Sequence, residues 1–363
     1  MCGIFGTVNY RISSKDFQLQ LDKIKHRGPD GFGVWENNDG SVKLGHRRLA
    51  IIDTDSRSNQ PMTFDNRYHI VFNGEIYNYI ELREELQKKG VQFVTASDTE
   101  VLLKLMILDG PAALSRLNGM WAFVIYDALE QSLFMSRDRL GKKPLYYIYK
   151  GEQFAFASEM KGLHSCLDEF VYDHDFIRYA VANPFDNERK PETLIKNIFK
   201  FPAGCYGTYK KGRLEIHRYY FPEQLLHQTP AHKNFDEAVE QFRELFESSC
   251  KLRMRSDVPV GSALSGGIDS GFVVSTLGKM GYGRSGDYTA LVASFPGSAL
   301  DETAAALQVA SHAGVNAVKV VVQTDLHPDQ ILKAVYDFEE IYLTAPVTFF
   351  QSYAGFRKNG IVV

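Results

Sequence analysis

A cysteine stands directly after the initiator methionine, where it could act as a nucleophile toward an amide. Removal of Met1 would leave the thiol of Cys2 beside a free α-amine. Such an amine has a reference pKa of roughly 7.7–8.0, so part of it is neutral near pH 7 and can accept the thiol proton. This arrangement lets Cys, Ser or Thr attack an amide carbon. A Met-Cys start by itself is weak evidence for catalysis, because most such cysteines are not catalytic.

Four short motifs after Cys2 combine basic, acidic and amide side chains. They are H-R-G-P-D at 26–30, G-H-R-R-L at 45–49, N-G-E-I-Y-N at 73–78 and S-D-T-E at 97–100. Each has an ordinary explanation, since Asn-Gly is common in hairpin turns and Ser-Asp is a common helix cap. Their occurrence together behind an N-terminal cysteine favours a functional site.

With its start C-G-I-F-G and these motifs, the sequence resembles the class II glutamine amidotransferases over residues 2–220. The resemblance implies an α+β N-terminal-nucleophile hydrolase sandwich of αββα type, in which the Cys2 thiolate attacks the side-chain amide of glutamine. It places the oxyanion donors at the Asn73 amide and the Gly74 N–H. The implied glutamine-binding residues are Arg48 for the carboxylate, Glu75 and Asp98 for the ammonium, and also Leu49, Ile52, Asn73 and Gly74.

A second motif, L-S-G-G-I-D-S at 264–270, lies between a predicted strand at 258–264 and a predicted helix at 270–280. Two glycines after a strand present backbone N–H groups, and the helix N-terminus adds partial positive charge, so the loop suits pyrophosphate. The motif is neither Walker A nor G-x-G-x-x-G. A glycine turn before a capped helix would give the same pattern.

The loop resembles the S-G-G-x-D-S pyrophosphatase loop of ATP-dependent adenylating amidotransferases, and S-D-V-P at 256–259 resembles a segment of asparagine synthetases. The resemblance implies ATP and Mg²⁺ as cofactors. Asp269 could be a magnesium ligand or could cap the helix that follows the loop. Asp301 and Glu302 could join that site or could be the acidic start of a helix. The implied ATP-binding residues are Leu264, Ser265, Gly266, Gly267, Asp269, Ser270 and, in a predicted strand at 289–295, Ala293.

The elements that must position these residues predict two domains. Residues 1–222 contain many short strands, including one at 68–72 that we expect to end in a turn at Asn73-Gly74. A linker is predicted at 223–234, where Pro230 and polar residues interrupt the pattern. Residues 235–363 alternate helices with strands, as in an α/β parallel sheet covered on both faces. The resemblance implies an ATP-pyrophosphatase domain here, and we expect it to be incomplete.

Composition limits the other classes of function. The chain has 363 residues, a net charge of −3 and four cysteines without a C-x-x-C pair. The charge disfavours a general nucleic-acid or membrane-surface binder. The cysteines are expected to be free thiols in a reducing compartment, and with neither a signal peptide nor a membrane-length apolar stretch the expected location is cytoplasmic.

These features together predict an asparagine synthase (glutamine-hydrolysing), with glutamine and a carboxylate acceptor, aspartate first, as partners and a homodimer as the assembly. A relative that amidates another carboxylate, such as a sugar acid in polysaccharide biosynthesis, is an alternative. Partner domains of the phosphoribosyl-pyrophosphate or hexosamine type are disfavoured by the 264–270 loop. A non-catalytic glutamine- or nucleotide-binding module is disfavoured by Cys2, Arg48, Asn73 and Asp98.

Overall fold

The structure is a computed structural model that describes residues 2–226, 234–283, 286–323, 327–341, 346–358 and 360–361. The chain forms two compact units. The first contains residues 1–229 and the tripeptide Glu339–Ile341, and the second contains 230–338 and 342–363. The tripeptide is therefore part of the first unit although it follows most of the second in sequence, which the sequence pattern did not indicate.

The first unit is built from short strands and a few helices. Its strands are β1 Gly3–Val8, β2 Gly31–Glu36, β3 Val42–Arg48, β4 Met62–Phe64, β5 Tyr68–Ile76, β6 Gly119–Asp127, β7 Ser132–Arg137, β8 Tyr146–Lys150, β9 Gln153–Ala157, β10 Phe199–Lys200, β11 Cys205–Lys210 and β12 Arg213–Arg218. Its helices are α1 Ser14–Lys23, α2 Tyr79–Lys88, α3 Asp98–Asp109, α4 His174–Ala182 and α5 Pro222–Leu225.

Two six-stranded antiparallel sheets pack face to face in this unit. Their strand orders are β10-β8-β9-β1-β3-β2 and β12-β11-β7-β6-β5-β4. An apolar core that includes Ile4, Leu44 and Val71 fills the space between the sheets. Helix α1 buries Phe17 and Leu21 on the outer face of the first sheet, and α2 and α3 cover the outer face of the second. The resulting order of layers, helix, sheet, sheet and helix, confirms the predicted αββα sandwich.

The turn expected at Asn73-Gly74 is wrong, because β5 continues through both residues to Ile76. Strand β6 pairs with this whole length, with Gly74 opposite Trp121. A Cβ on Gly74 would lie 2.1 Å from the Met120 carbonyl oxygen, so the glycine serves a close backbone approach and not a turn. Tertiary pairing has outweighed the local turn preference of Asn-Gly.

The second unit alternates helices with strands. Its elements are α6 Phe235–Arg253, β13 Val260–Ala263, α7 Ile268–Lys279, β14 Tyr288–Ser294, α8 Thr303–Ala313, β15 Ala317–Val321, α9 Pro328–Phe338 and α10 Pro346–Lys358. Strands β13, β14 and β15 form a parallel sheet in that order. Ala290 and Val292 of β14 pack with helices α7 and α8, while Leu291 packs with Ile361 on the other face. The predicted parallel sheet with covered faces is confirmed.

Some boundaries differ from those predicted. Helix α7 begins at Ile268, two residues earlier than expected, and its N-cap is Gly267, so Asp269 lies inside the first turn and does not cap the helix. The predicted linker contains the short helix α5 at its start, and its residues 227–233 lie outside the described residues. None of the described helices has the length and apolar character needed to cross a bilayer.

Candidate active site and nucleotide loop

The two-residue period of the strands turns three chemically useful side chains toward the space between the sheets. Ile4, Leu44 and Val71 belong to the core between the sheets. His46 and Asn73 lie two residues after Leu44 and Val71 in β3 and β5, and Cys2 lies two residues before Ile4, just ahead of β1, so all three point to the same side. The nucleophile and the amide of the predicted oxyanion site therefore come from opposite sheets and face one interior.

Cys2 is partly buried and lies against the residue that follows β3. Its Sγ is 3.4 Å from the Leu49 N–H and 3.6 Å from the Leu49 carbonyl oxygen. Burial raises the pKa of the Cys2 thiol, while the Leu49 contact and the charge of Lys143 act in the opposite direction. Because the neutral thiol is favoured, attack by Cys2 needs a base to remove its proton.

The H-R-G-P-D segment holds the chain on both sides of the thiol. Arg27 donates from Nε to the Cys2 carbonyl oxygen at 2.9 Å and from Nη1 to Glu159 at 2.8 Å. Asp30 accepts a hydrogen bond from the Ala50 N–H at 2.9 Å. A Cβ on Gly28 would lie 2.3 Å from the Arg47 carbonyl oxygen, so the segment requires glycine there. This geometry supports a positioning role for the segment.

Glu159 lies at the centre of a cluster of cationic groups. Its carboxylate accepts from Arg27 and from His26 Nε2, the latter at 2.9 Å, and lies 2.7 Å from Lys161 Nζ. Burial alone would raise the pKa of Glu159, but the His26 hydrogen bond and the charges of Arg27 and Lys161 hold it at about 2. Lys161 is also 3.5 Å from Glu339 of the tripeptide. The cluster thus connects the backbone of Cys2 with the tripeptide.

Asn73 has the features expected of a ligand-binding amide. It is 0% exposed, and neither Oδ1 nor Nδ2 has a hydrogen-bond partner among the residues that the structure describes. The N–H groups of Phe72 and Ile76 donate to Gln60 and Asp98 on the edge of β5 away from β6. Gly74 lies two residues from each of them. Backbone N–H groups along a strand point to the same edge at every second residue, so the Gly74 N–H faces this edge too.

Two buried carboxyls are the candidates for binding the substrate ammonium. Burial raises the pKa of Glu75 to about 7 and that of Asp98 to about 6. Asp98 also accepts from the Ile76 N–H at 3.0 Å. Lys143 is 4% exposed, and its charge acts on both Cys2 and Glu75. A bound ammonium would compensate the cost of ionising the carboxyls in this interior.

Arg48 is buried and engaged with the loop that follows it. Nη1 donates to the Asp55 carbonyl at 2.7 Å and to Asn59 Oδ1 at 2.9 Å. Nη2 donates to the carbonyls of Ile52 and Asp53. These four bonds use all the Nη hydrogens, so a bidentate grip on a glutamine carboxylate requires the loop to release them.

The predicted nucleotide loop lies at the carboxyl end of β13. The Leu264 N–H donates to the Leu291 carbonyl at 2.8 Å, and Ala293 lies near the same end of neighbouring β14. Ligands of open α/β sheets bind at such an edge. The loop is closed internally, because Ser270 Oγ accepts from the Ser265 N–H at 3.0 Å and lies 2.8 Å from Ser265 Oγ.

Carboxylates near this loop fit a magnesium nucleotide. Asp269 is exposed in the first turn of α7, and Glu302 accepts from the Gly266 N–H at 3.1 Å. Magnesium commonly takes one or two protein carboxylates together with substrate phosphates. Within the described ranges, no group of three or more His, Cys, Asp or Glu residues is placed to hold a metal by itself. Asp269 and Glu302 would hold the ion only together with a nucleotide.

The sequence prediction missed several residues of the site. Arg27, Lys143 and Glu159 are charged yet buried, and His46 is a fully buried histidine. The sequence carries only a weak signal for these residues. Glu159 follows the apolar strand β9, and Arg27 belongs to the H-R-G-P-D motif at 26–30. A charged residue beside a buried strand is the pattern that could have identified them.

Comparison with known families agrees with this geometry. Residues 1–220 match the family described as glutamine amidotransferase domain. The chain belongs to the glutamine amidotransferase family. Residues 241–363 match a second family, described as asparagine synthase. The two matched regions hold the Cys2 site and the 264–270 loop respectively.

Curated relatives align with this chain across both regions. Asparagine synthetase (glutamine-hydrolyzing) 1 from Bacillus subtilis is 35% identical over 347 residues, which are 94% of this chain and 53% of the relative. Asparagine synthetase B (glutamine-hydrolyzing) from Escherichia coli is 31% identical over 364 residues, 95% of this chain and 58% of the relative. The chain spans about half the length of the curated relatives it matches.

A solved structure, glutamine phosphoribosylpyrophosphate amidotransferase from B. subtilis, aligns with 92% of this chain and 70% of its own. Its sequence identity is 18% and the TM-score is 0.45. A likeness of this size carries no argument about the fold, which rests on the sheets described above.

Proposed function

We propose that this chain is a glutamine-hydrolysing asparagine synthase that frees ammonia from glutamine at Cys2. The observation that carries the proposal is the buried Asn73 amide without a hydrogen-bond partner among the described residues, on the same interior as the Cys2 thiol. A buried polar group in that condition is costly, and a developing oxyanion would satisfy it. The names of the relatives support asparagine as the product.

In the proposed mechanism the free α-amine of Cys2, after Met1 is removed, takes the thiol proton. The thiolate attacks the side-chain amide carbon of glutamine, and the oxyanion accepts hydrogen bonds from Asn73 Nδ2 and the Gly74 N–H. The carbon–nitrogen bond then breaks, and the amine returns the proton to the departing ammonia. Water hydrolyses the resulting thioester to glutamate and restores the thiol.

Substrate binding in this proposal uses the charged groups around the thiol. Glu75 and Asp98 bind the α-ammonium of glutamine. Arg48 binds the α-carboxylate if the 52–59 loop releases it, and otherwise keeps that loop against the site. Leu49 and Ile52 complete the wall of the pocket. The residues supply opposite charges, as the zwitterionic end of glutamine requires.

The second unit is proposed to bind ATP at the 264–270 loop and to use it to adenylate a carboxylate, aspartate first. Loop N–H groups and the N-terminus of α7 would hold the phosphates. Gly266 would exchange its bond with Glu302 for one with a phosphate oxygen. When bound, Mg²⁺ would neutralise phosphate charge, with Asp269 and Glu302 as its protein ligands. Location in the cytoplasm and a homodimeric assembly stay predictions.

Glutamate release from glutamine tests the first half of the proposal. Cys2→Ala should abolish release. Cys166→Ala is the matched control, since Cys166 is a buried thiol whose pKa burial raises to about 11. It should keep the parent's rate per folded molecule. Equal rates for the parent and Cys2→Ala would contradict the proposal.

Pyrophosphate release from ATP tests the second half. A panel of carboxylic acids that includes aspartate and sugar acids should give release with aspartate, in the presence of Mg²⁺ and either glutamine or ammonia. Cys2→Ala should retain the ammonia-dependent reaction. Release with another acid alone would replace aspartate as the acceptor.

A further inference from the structure

His46 joins the two sheets next to the oxyanion site. It lies in β3, is 0% exposed, and its Nε2 is 3.0 Å from the carbonyl oxygen of Phe72 in β5. A carbonyl oxygen can only accept, so Nε2 carries the proton and donates. Burial lowers the pKa of His46 to about 3, so the ring is neutral and this arrangement persists at neutral pH.

The carbonyl that His46 holds belongs to the peptide group that leads into Asn73. Strand β4 pairs with β5 only from Tyr68 to Ile70, so none of the strands that the structure describes continues along that edge of β5 beside Phe72. Two side chains take its place: Gln60 accepts from the Phe72 N–H at 2.7 Å, and His46 donates to the Phe72 carbonyl. His46 thus holds the peptide group that leads into Asn73, and Gln60 holds the peptide group before it.

We propose that His46 is a positioning residue for glutamine hydrolysis, which holds the Phe72 carbonyl and thereby sets the oxyanion donors Asn73 and Gly74 relative to Cys2. The inference rests on the proposed glutaminase function. Strand β3 leads directly into Leu49, which contacts the Cys2 sulfur. One strand therefore contacts the nucleophile at its end and holds the oxyanion strand through His46.

Substitutions at His46 test whether this bond matters for the transition state. His46→Leu removes the donor in a similar volume, whereas the amide of His46→Gln can still reach Phe72. We expect His46→Leu to lower kcat by about 10- to 100-fold, since a displacement of about 1 Å can cost about 10²-fold. KM for glutamine should stay within about threefold of the parent's, because these donors act mainly in the transition state. His46→Gln should recover most of the loss.

A second buried histidine supplies the control. His69 lies in β5, the strand that His46 contacts; it is 3% exposed, and its Nδ1 lies 2.9 Å from Thr63 Oγ1. His69→Leu should keep the parent's kcat per folded molecule. If His46→Leu does not fold, His46→Asn, whose amide is too short to reach Phe72, takes its place in the comparison with His46→Gln.

Alkylation of Cys2 by iodoacetamide, followed by mass spectrometry of the N-terminal peptide, separates positioning from general damage. This reaction occurs at a saturated carbon and forms no oxyanion, so its rate should be equal in the parent and His46→Leu. Equal loss of alkylation and hydrolysis, or a kcat for His46→Leu within twofold of His69→Leu, would overturn the inference. Absence of glutamate release from the parent would overturn the proposed function itself.

Discussion

Replacing Asn73 by leucine should change activity and stability in opposite directions. The side chain is 0% exposed, and its two polar atoms have no hydrogen-bond partner within the described part of the chain. Such a buried group costs about 1–3 kcal/mol, and leucine replaces it with methyl groups in nearly the same shape. The free energy of unfolding of Asn73→Leu should therefore equal the parent's or exceed it by about 1–3 kcal/mol.

The same substitution removes an oxyanion donor. Loss of one donor typically lowers kcat by about 10²- to 10³-fold, which corresponds to about 2.7–4 kcal/mol of transition-state stabilisation. Glutamate release at saturating glutamine measures this loss directly. The combination of a protein that is no less stable and far less active is what the unpartnered amide predicts.

Tryptophan fluorescence during urea unfolding gives the stability of the relevant unit alone. The chain has two tryptophans, Trp35 in β2 and Trp121 in β6, and both belong to the first unit. Gln60→Leu is the matched control, because Gln60 accepts from Phe72 and donates to Thr99 at 3.2 Å. It should lower the free energy of unfolding by about 1–3 kcal/mol. If Asn73→Leu were destabilised to a similar extent, the Asn73 amide must be hydrogen-bonded in the free protein and the reasoning fails.

The KM for glutamine should rise as the pH falls below about 7, because Glu75 and Asp98 have pKa values of about 7 and about 6 and bind an ammonium only when ionised. Initial rates from about pH 5 to pH 8 measure the KM at each pH. Asp98→Asn should flatten the lower part of the pH profile. A KM that stays constant would contradict the assignment of Glu75 and Asp98 to the ammonium. Glu159→Gln should lower the free energy of unfolding by about 3 kcal/mol at pH 7, since the Glu159 pKa of about 2 in the folded protein lies below the ordinary glutamate pKa of about 4.5. That stabilisation is complete above about pH 4.5 and is lost as the pH falls toward 2, so urea unfolding of parent and variant should converge in acid, and a constant difference would refute it. Ser270→Ala should raise the Kd for ATP about tenfold in calorimetric titration, because its hydroxyl orders the Ser265 N–H, while glutamate release stays unchanged; unchanged ATP binding would count against the loop.

Strongly patterned elements could be predicted from the sequence alone. The strand predicted at 289–295 occurs at Tyr288–Ser294, and the strand predicted at 258–264 occurs at Val260–Ala263, since runs of apolar residues define them locally. The Asn73-Gly74 turn failed for the opposite reason. Its local signal was strong, but pairing with β6 decided the conformation, and a single sequence does not show which strands pair.

The site residues that could be predicted were those that lie in a recognisable sequence motif. Cys2, Asn73 and Asp98 came from the family resemblance, and the structure brings them together. Arg27 and Glu159 meet across 132 residues of sequence, and no local pattern records that contact. His46 was missed because a histidine in a strand usually reports only burial, and its bond to β5 exists only once the two sheets are stacked.

The Glu339–Ile341 tripeptide has a consequence for dissecting the protein. Lys200 is 3% exposed, and Glu340 lies 3.2 Å from its Nζ while also accepting from the Tyr146 hydroxyl at 2.5 Å. A fragment that stopped at residue 229 would omit Glu340. The buried Lys200 ammonium would then keep only the Asn187 carbonyl and Glu188, which is mostly exposed and 4.0 Å away. Removing one partner of a buried ion pair costs about 3–5 kcal/mol. The first unit is therefore discontinuous in sequence, and a fragment meant to isolate it should have this short stretch grafted back on.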